Sequence, residues 1–258
     1  MGLVMTRKNW SREELIIAFN LYCKVPFGRI HNRNPEIIHL ANLIGRTPSA
    51  VSWKLANFAR LDPSLQDRGI SGASHGSKGE QEIWDEFNHN WEELSFLSET
   101  LISDFNKQPI EEVANIDISD LPAGKERESI VRTRINQNFF RQSILAAYNG
   151  KCCITNLALP ELLNASHIIP WSVDPINRTN PRNGLCLNAI HDRAFDRGLI
   201  TIGKDFTVKL ASSIKTSKDD KAVENLFLKY EGVQIHLPEK FIPDTNFIAY
   251  HNQNIFQG

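Results

Sequence analysis

The chain has 258 residues, of which 41% are hydrophobic, and a formal net charge of −1 at pH 7. This length and apolar content allow a sizeable core, organised as one large or two modest domains. The near-neutral charge excludes a chain coated in basic residues, so any nucleic-acid binding has to come from local patches.

The sequence has no apolar run near the roughly 18 residues of a membrane span, and its start lacks the apolar core of a signal peptide. We therefore expect no membrane partner and a cytoplasmic location. The cysteines do not make a secreted disulfide framework, and no C-x-x-C pair is present to begin a zinc site. They are Cys23, Cys152, Cys153 and Cys186.

Residues 1–115 are predicted to form a helical domain. Ser11 is expected to cap the first helix, and Glu14 completes a capping box. The next unit is a helix over residues 35–45, a tight turn, and a helix over residues 50–61 that is capped by Thr47. This order is typical of a helix-turn-helix module.

The second helix of that unit is interpreted as a DNA recognition helix. Val51, Leu55 and Phe58 follow the spacing i, i+4, i+7 and are expected to face inward. The opposite face is then expected to contact DNA. Its predicted base contacts are Ser49, Trp53 and Asn57, and its predicted phosphate contacts are Arg46, Lys54 and Arg60. The alternative is a plain helical hairpin in which Trp53 packs on another element.

Large apolar residues recur at helical spacing over residues 79–105, which predicts one amphipathic helix. Core packing is its expected role, and a dimer seam is the alternative. The stretch that follows, residues 108–124, is acidic and unpatterned. We place a domain boundary there, which divides the chain into residues 1–115 and residues 116–258.

The second domain is predicted to open with a helix over residues 126–148, and strands are predicted over residues 199–202 and 207–210. Residues 129–160 contain no Asp or Glu but carry four positive charges. These charges are Arg132, Arg134, Arg141 and Lys151. We interpret them as contacts to a DNA backbone, with a solvated basic helix as the alternative.

Residues 164–198 carry the pattern with the most specific chemistry. His167, Asn183 and His191 follow one another at intervals of sixteen and eight residues. A histidine that closes an apolar segment, an Asn-Gly in a turn and a histidine that opens a helix can converge on one phosphate, where hydrolysis needs a base and a metal anchor. A neutral imidazole is a suitable base at cellular pH, and we assign that role to His167.

The residues around this pattern resemble the HNH (His-Asn-His) endonucleases, a family of ββα-metal folds. The similar segments are CITN at 153–156, ASHIIP at 165–170 and NGLCLN at 183–188, followed by His191, Phe195, Asp196 and Gly198. The resemblance covers about residues 131–210. It points to the restriction-type branch of the family, which has a small residue before the first histidine.

This resemblance implies a divalent metal, with Mg²⁺ expected and Mn²⁺ as a substitute. His191 is expected to ligate the metal, and Asn183 to orient the loop and the His167 ring. Many HNH enzymes carry Asp or His before the base as a ligand, whereas this chain has Ser166, so water and the DNA phosphate are expected to fill the shell. Asp196 is the alternative second ligand, but it lies five residues from His191 and is interpreted as a structural partner.

The sequence therefore predicts an α+β protein with a helical, helix-turn-helix-like N-terminal domain and a ββα-metal (HNH) nuclease domain. Its expected function is metal-dependent cleavage of double-stranded DNA in restriction, with dependence on base modification left open. One motif per chain and two strands to cut predict a homodimer. The alternatives are a nicking or homing-type nuclease, and a catalytically inactive DNA-binding regulator, for which Ser166 is the only sign.

Overall fold

The fold class is α+β, as predicted, in a computed structural model that describes residues 9–69, 76–217 and 220–258. Helices account for most of the regular structure, and the strands in these ranges form small antiparallel sheets. No helix within these ranges combines the length and the apolar character that are needed to cross a membrane.

The N-terminal part is helical. Its helices are α1 (Arg12–Lys24), α2 (Pro35–Leu43), α3 (Pro48–Ala59), α4 (Pro63–Gln66), α5 (Lys78–Phe87), α6 (Trp91–Asn106) and α7 (Ile110–Val113). The predicted capping box starts α1, because the Glu14 amide donates to Ser11 Oγ at 3.3 Å and the Ser11 amide donates to the Glu14 carboxylate at 2.8 Å. Gly45 separates α2 from α3 with a φ of +67°, and Thr47 caps α3.

The single helix predicted over residues 79–105 is wrong, because α5 and α6 are separate. The break falls at Asn88, His89 and Asn90, where asparagine side chains favour turns over helix interiors. The apolar stripe nevertheless packs in the core on both sides of the break, and Trp84 and Trp91 are both buried. Core packing, the expected role of this stripe, is thus what the structure has.

The C-terminal part contains two hairpins and five helices among its described residues. Its elements are α8 (Lys125–Ala147), β1 (Leu163–His167), β2 (Gly184–Asn188), α9 (Ala189–Asp196), β3 (Ile200–Ile202), β4 (Val208–Leu210), α10 (Ser212–Thr216), α11 (Lys221–Leu226) and α12 (Thr245–Asn254). β1 and β2 pair antiparallel, with His167 opposite Gly184, and β2 runs directly into α9. The order β1, β2, α9 is a ββα unit, and the strands predicted over residues 199–202 and 207–210 are the hairpin of β3 and β4.

Helix α8 lies between two hydrophobic cores. Phe139 packs in the core built by α1, α3, α5 and α6, whereas its neighbour Phe140 packs in the core built by the ββα unit and the β3–β4 hairpin. Phe241, from the C-terminal segment, is also buried in the first core. The division into residues 1–115 and 116–258 stays a prediction. Phe139 and Phe241, which belong to the predicted second domain, pack in the core of the N-terminal helices.

Gly184 is required by a close approach of α8 to the hairpin. A Cβ atom at this position would collide with the side chain of Ile144 and would lie 2.8 Å from Cζ of Phe140. Since Gly184 is the partner of His167 in the ladder, its lack of a side chain brings α8 up to the end of β1. In the Asn-Gly pair of the motif, Asn183 ends the 3-10 turn Pro181–Asn183, and its amide donates to the Asn180 carbonyl at 2.9 Å. Gly184 serves helix packing at the start of β2.

Candidate active site

An open cleft of about 560 Å³ lies where α8, β1, α9 and the C-terminal segment meet. Of the three motif residues, His167 lines this cleft, whereas Asn183 and His191 do not. The lining residues are Gln137, Phe140, Arg141, Asn164, Ala165, Ser166, His167, Pro170, Trp171, Asp192, Asp196, His251 and Ile255.

His167 ends β1 and lines this cleft, half-buried. Its Nε2 lies 2.8 Å from the carbonyl oxygen of Arg178, so Nε2 carries the hydrogen and donates it. In the neutral ring Nδ1 is then the acceptor, and among the described residues it has no hydrogen-bond partner. The ring stacks on Phe140 at a centroid distance of 3.8 Å and meets the edge of Trp171 at 5.7 Å. These contacts fix both the tautomer and the plane of the imidazole.

The pKa of His167 is lowered from its ordinary value. Burial is the main cause, and it outweighs the opposing effects of the Arg178 carbonyl and the negative charge of Asp192. The ring is therefore neutral at pH 7, which is the form that can accept a proton.

Asn183 is buried and holds the loop that follows β1. Its Oδ1 accepts a hydrogen bond from the Ile169 amide at 2.8 Å, and its Nδ2 donates to the carbonyls of Ile169 and Asn177, both at 3.1 Å. Asn183 thus orients this loop, as the resemblance implied. It contacts backbone atoms and makes no hydrogen bond to the His167 ring, so its effect on the ring is indirect.

The structure does not place His191 in the cleft, which corrects its predicted role as a metal ligand. The side chain is 2% exposed, and Nε2 donates to the Leu226 carbonyl at 2.7 Å. Nδ1 lies 2.9 Å from Nδ2 of Asn188, which donates to it. Both ring nitrogens are therefore engaged inside the second core, between Phe227 and Tyr230. His191 fastens α9 to the segment after α11.

Asp192 and Asp196 line the cleft instead, one helical turn apart on α9. Asn164 on β1 donates to Asp192 at 2.7 Å. The pKa of Asp196 is raised by partial burial and by the negative charge of Asp192, so the two carboxylates lie close enough to repel each other. The sequence signal for this pair is the i, i+4 spacing of two acids on the motif helix, whereas the five-residue distance of Asp196 from His191 does not indicate it.

Ser166 is buried, lines the same cleft, and its Oγ has no hydrogen-bond partner among the described residues. Together with Asp192, Asp196 and Asn164 it gives the cleft an all-oxygen donor set, which is the chemistry that Mg²⁺ prefers. No three His, Cys, Asp or Glu side chains of the described ranges converge as a preformed metal cage. Water and phosphate oxygens would have to complete the shell of a bound ion.

Of the basic residues on α8, only Arg141 reaches the cleft, where its Nη1 donates to the Leu163 carbonyl at 2.9 Å. The backbone contacts of Arg132 and Arg134 stay a prediction, and in the structure both side chains have protein partners. Arg132 pairs with two glutamates of α6, Glu92 and Glu93, and Arg134 donates to the Asp117 carbonyl. The segment around these arginines is free of acids, but their acidic and carbonyl partners come from earlier in the chain.

Two side chains of the DNA-contacting face predicted for α3 are covered by α5. Lys54 forms a buried ion pair with Glu80, and Asn57 donates to the same carboxylate at 2.8 Å, so both predicted outward side chains face inward.

Arg46 pairs with Glu14 at 2.6 Å and lies over the Trp10 ring, so it stabilises the fold and does not point to a phosphate. Arg60 is half-buried at the end of α3. Ser49 remains exposed, and Trp53 is 63% exposed and belongs to none of the hydrophobic cores of the described residues.

A neutral imidazole, a pair of carboxylates and an arginine around one open cleft are the groups that a phosphodiester hydrolase needs. Residues 152–203 match the family model of the HNH endonucleases. This segment contains the whole ββα unit, β3 and the three motif residues His167, Asn183 and His191. Residues 152–203 therefore form an HNH endonuclease domain, and proteins of that family act on DNA and generally use a divalent metal. A comparison with curated proteins found no match.

Proposed function

We propose that the protein is a metal-dependent endonuclease that cuts double-stranded DNA in a restriction system. The observation that carries the proposal is His167, whose Nε2 is occupied by the Arg178 carbonyl at 2.8 Å while the ring lines an open cleft. Buried histidines with a structural role have hydrogen-bond partners at both ring nitrogens, as His191 and His251 have.

His167 acts as the general base. Nδ1 accepts a proton from the attacking water, and the Nε2–H bond to the Arg178 carbonyl stabilises the imidazolium that forms. Stacking on Phe140 keeps Nδ1 in one direction, so the ring does not have to reorient during the reaction. Arg141 and Gln137, on the same side of α8, contact the phosphate backbone of the bound strand.

Asp192 and Asp196 would hold the divalent metal, with Asn164 and Ser166 as further oxygen donors. The cleft fits such an ion, because the buried Ser166 Oγ has no hydrogen-bond partner within the described ranges and two carboxylates line the cleft one helical turn apart. A divalent cation held there would supply positive charge to the phosphate and to the departing 3′ oxygen. This assignment replaces the metal role that was predicted for His191. It also argues against the inactive regulator, since the acids missing at residue 166 are supplied by α9.

The test is digestion of plasmid DNA by the purified protein with Mg²⁺, Mn²⁺ or EDTA. We expect cleavage with either cation and none in EDTA. His167→Ala should lower cleavage by roughly a hundredfold to ten-thousandfold, the usual contribution of a general base. Robust cutting in EDTA, or by His167→Ala at every metal concentration, contradicts the proposal. Parallel digestion of plain, methylated and hydroxymethylated DNA decides whether restriction depends on base modification.

A further inference from the structure

The loop between β1 and β2 carries two apolar side chains, Val173 and Ile176, that are exposed to solvent. Ile176 is 76% exposed and Val173 is 49% exposed, and no other large hydrophobic side chain of the described residues is as exposed as Ile176. Both lie in the loop that follows β1, whose first part lines the cleft with Pro170 and Trp171. Packing gives no reason for them, because neither belongs to a hydrophobic core.

The tip of this loop is held rigid by polar groups. Asp174 Oδ1 accepts hydrogen bonds from the amides of Ile176 and Asn177 at 3.1 and 3.2 Å, and its Oδ2 accepts one from Asn177 Nδ2 at 2.7 Å. Asn183 in turn binds the Asn177 carbonyl. The loop therefore keeps its shape without help from its apolar side chains, and it presents them in fixed positions.

The same loop is bonded to the base. The Arg178 carbonyl accepts from His167, and Arg178 Nε donates to the Trp171 carbonyl at 2.8 Å with the guanidinium over the Trp171 ring. Trp171 and Pro170 also line the cleft. These bonds set the position of the loop relative to the His167 ring.

We infer that Ile176, supported by Val173, is a wedge that enters the minor groove of duplex DNA and partly separates a base step next to the phosphate being cut. This inference rests on the proposed cleavage of DNA. Phosphate contacts call for cations, which Arg141 and Arg178 supply beside the cleft, whereas an aliphatic side chain has affinity only for the apolar faces and edges of bases. Partial unstacking bends the duplex toward the major groove, which lowers the strand into the cleft.

The test compares Ile176→Ala and Ile176→Asp with Val233→Ala, a control at a 47% exposed apolar residue that does not line the cleft. One substrate is a duplex with 2-aminopurine near the cleavage site, and the other is bis(p-nitrophenyl) phosphate, a diester without bases. Ile176→Ala should raise KM for the duplex roughly ten- to a hundredfold, the effect of losing one buried aliphatic side chain. It should also abolish the rise in 2-aminopurine fluorescence on binding, and leave turnover of the small diester and the melting temperature unchanged.

Two results would overturn the wedge while leaving the nuclease intact. The first is that Ile176→Asp cuts and unstacks the duplex as well as Val233→Ala does. The second is that the Ile176 variants lose hydrolysis of the small diester in the same proportion as DNA cleavage, which would make the residue part of the scaffold. If the wild-type protein cuts neither substrate with Mg²⁺ or Mn²⁺, the proposed function fails, and the wedge fails with it.

Discussion

Replacing His191 by alanine tests whether this histidine builds the fold or holds the metal. The substitution leaves the Leu226 carbonyl without its donor and removes the ring that packs against Phe227 and Tyr230. An unsatisfied buried polar group costs about 1–3 kcal/mol, and the lost packing adds to this cost. We therefore expect the free energy of unfolding to fall by roughly 3 kcal/mol. In a chain of this size such a change lowers Tm by roughly 6–12 °C.

The matched variant is Asp192→Ala, one residue along α9. At a temperature where both variants are folded, His191→Ala should keep the metal concentration for half-maximal cleavage close to that of the wild type. Asp192→Ala should raise that concentration about tenfold or more and recover activity at high Mn²⁺, while its Tm changes little. A His191→Ala protein with native Tm and a tenfold greater metal requirement would refute this reasoning and restore the histidine as a ligand.

Three further outcomes are expected. Gly184→Ala should lower the free energy of unfolding by about 1–3 kcal/mol and reduce cleavage, because its methyl group displaces Phe140 from under the base; calorimetry and plasmid digestion measure both. Burial lowers the pKa of His251 to about 4. Between pH 6.5 and pH 4 the unfolded chain therefore binds a proton that the folded protein does not, and the free energy of unfolding should fall by about 3 kcal/mol over this range. Urea unfolding of His251→Asn should lack that slope. Trp53→Ala should weaken DNA binding at unchanged Tm, whereas Asn57→Ala should lower Tm; equal DNA affinity of Trp53→Ala and wild type would make α3 scaffold.

The parts of the site that depend on short stretches of sequence are predictable. His167 closes a strand and Asn183 spans the loop behind it, and both positions follow from residues within one hairpin. The same is true of the capping box at Ser11 and of the turn at Gly45, since caps and left-handed turns are decided by a few neighbouring residues.

The rest depends on the phase of a helix and on distant partners. Asn188 caps α9, and each further residue turns the side chain by about 100°, so a shift of one residue exchanges His191 for Asp192 at the cleft. The inward turn of Lys54 and Asn57 depends on Glu80, which is more than twenty residues away and belongs to another helix. A helical pattern within α3 alone does not reveal that partner.

Phe139 and Phe140 of α8 determine whether the nuclease domain can be separated from the N-terminal helices, because they pack in different cores. Phe140 supplies the platform for His167 and Arg141 supplies the positive charge in the cleft, yet both precede residues 152–203 and are carried by a helix whose Phe139 is held in the other core. A fragment that starts at residue 152 would keep His167 but lose the Phe140 ring on which His167 stacks. We therefore expect the shortest fragment that keeps the cleft intact to start at Lys125, the first residue of α8. A chimera with a different N-terminal part has to preserve the core in which Phe139 packs.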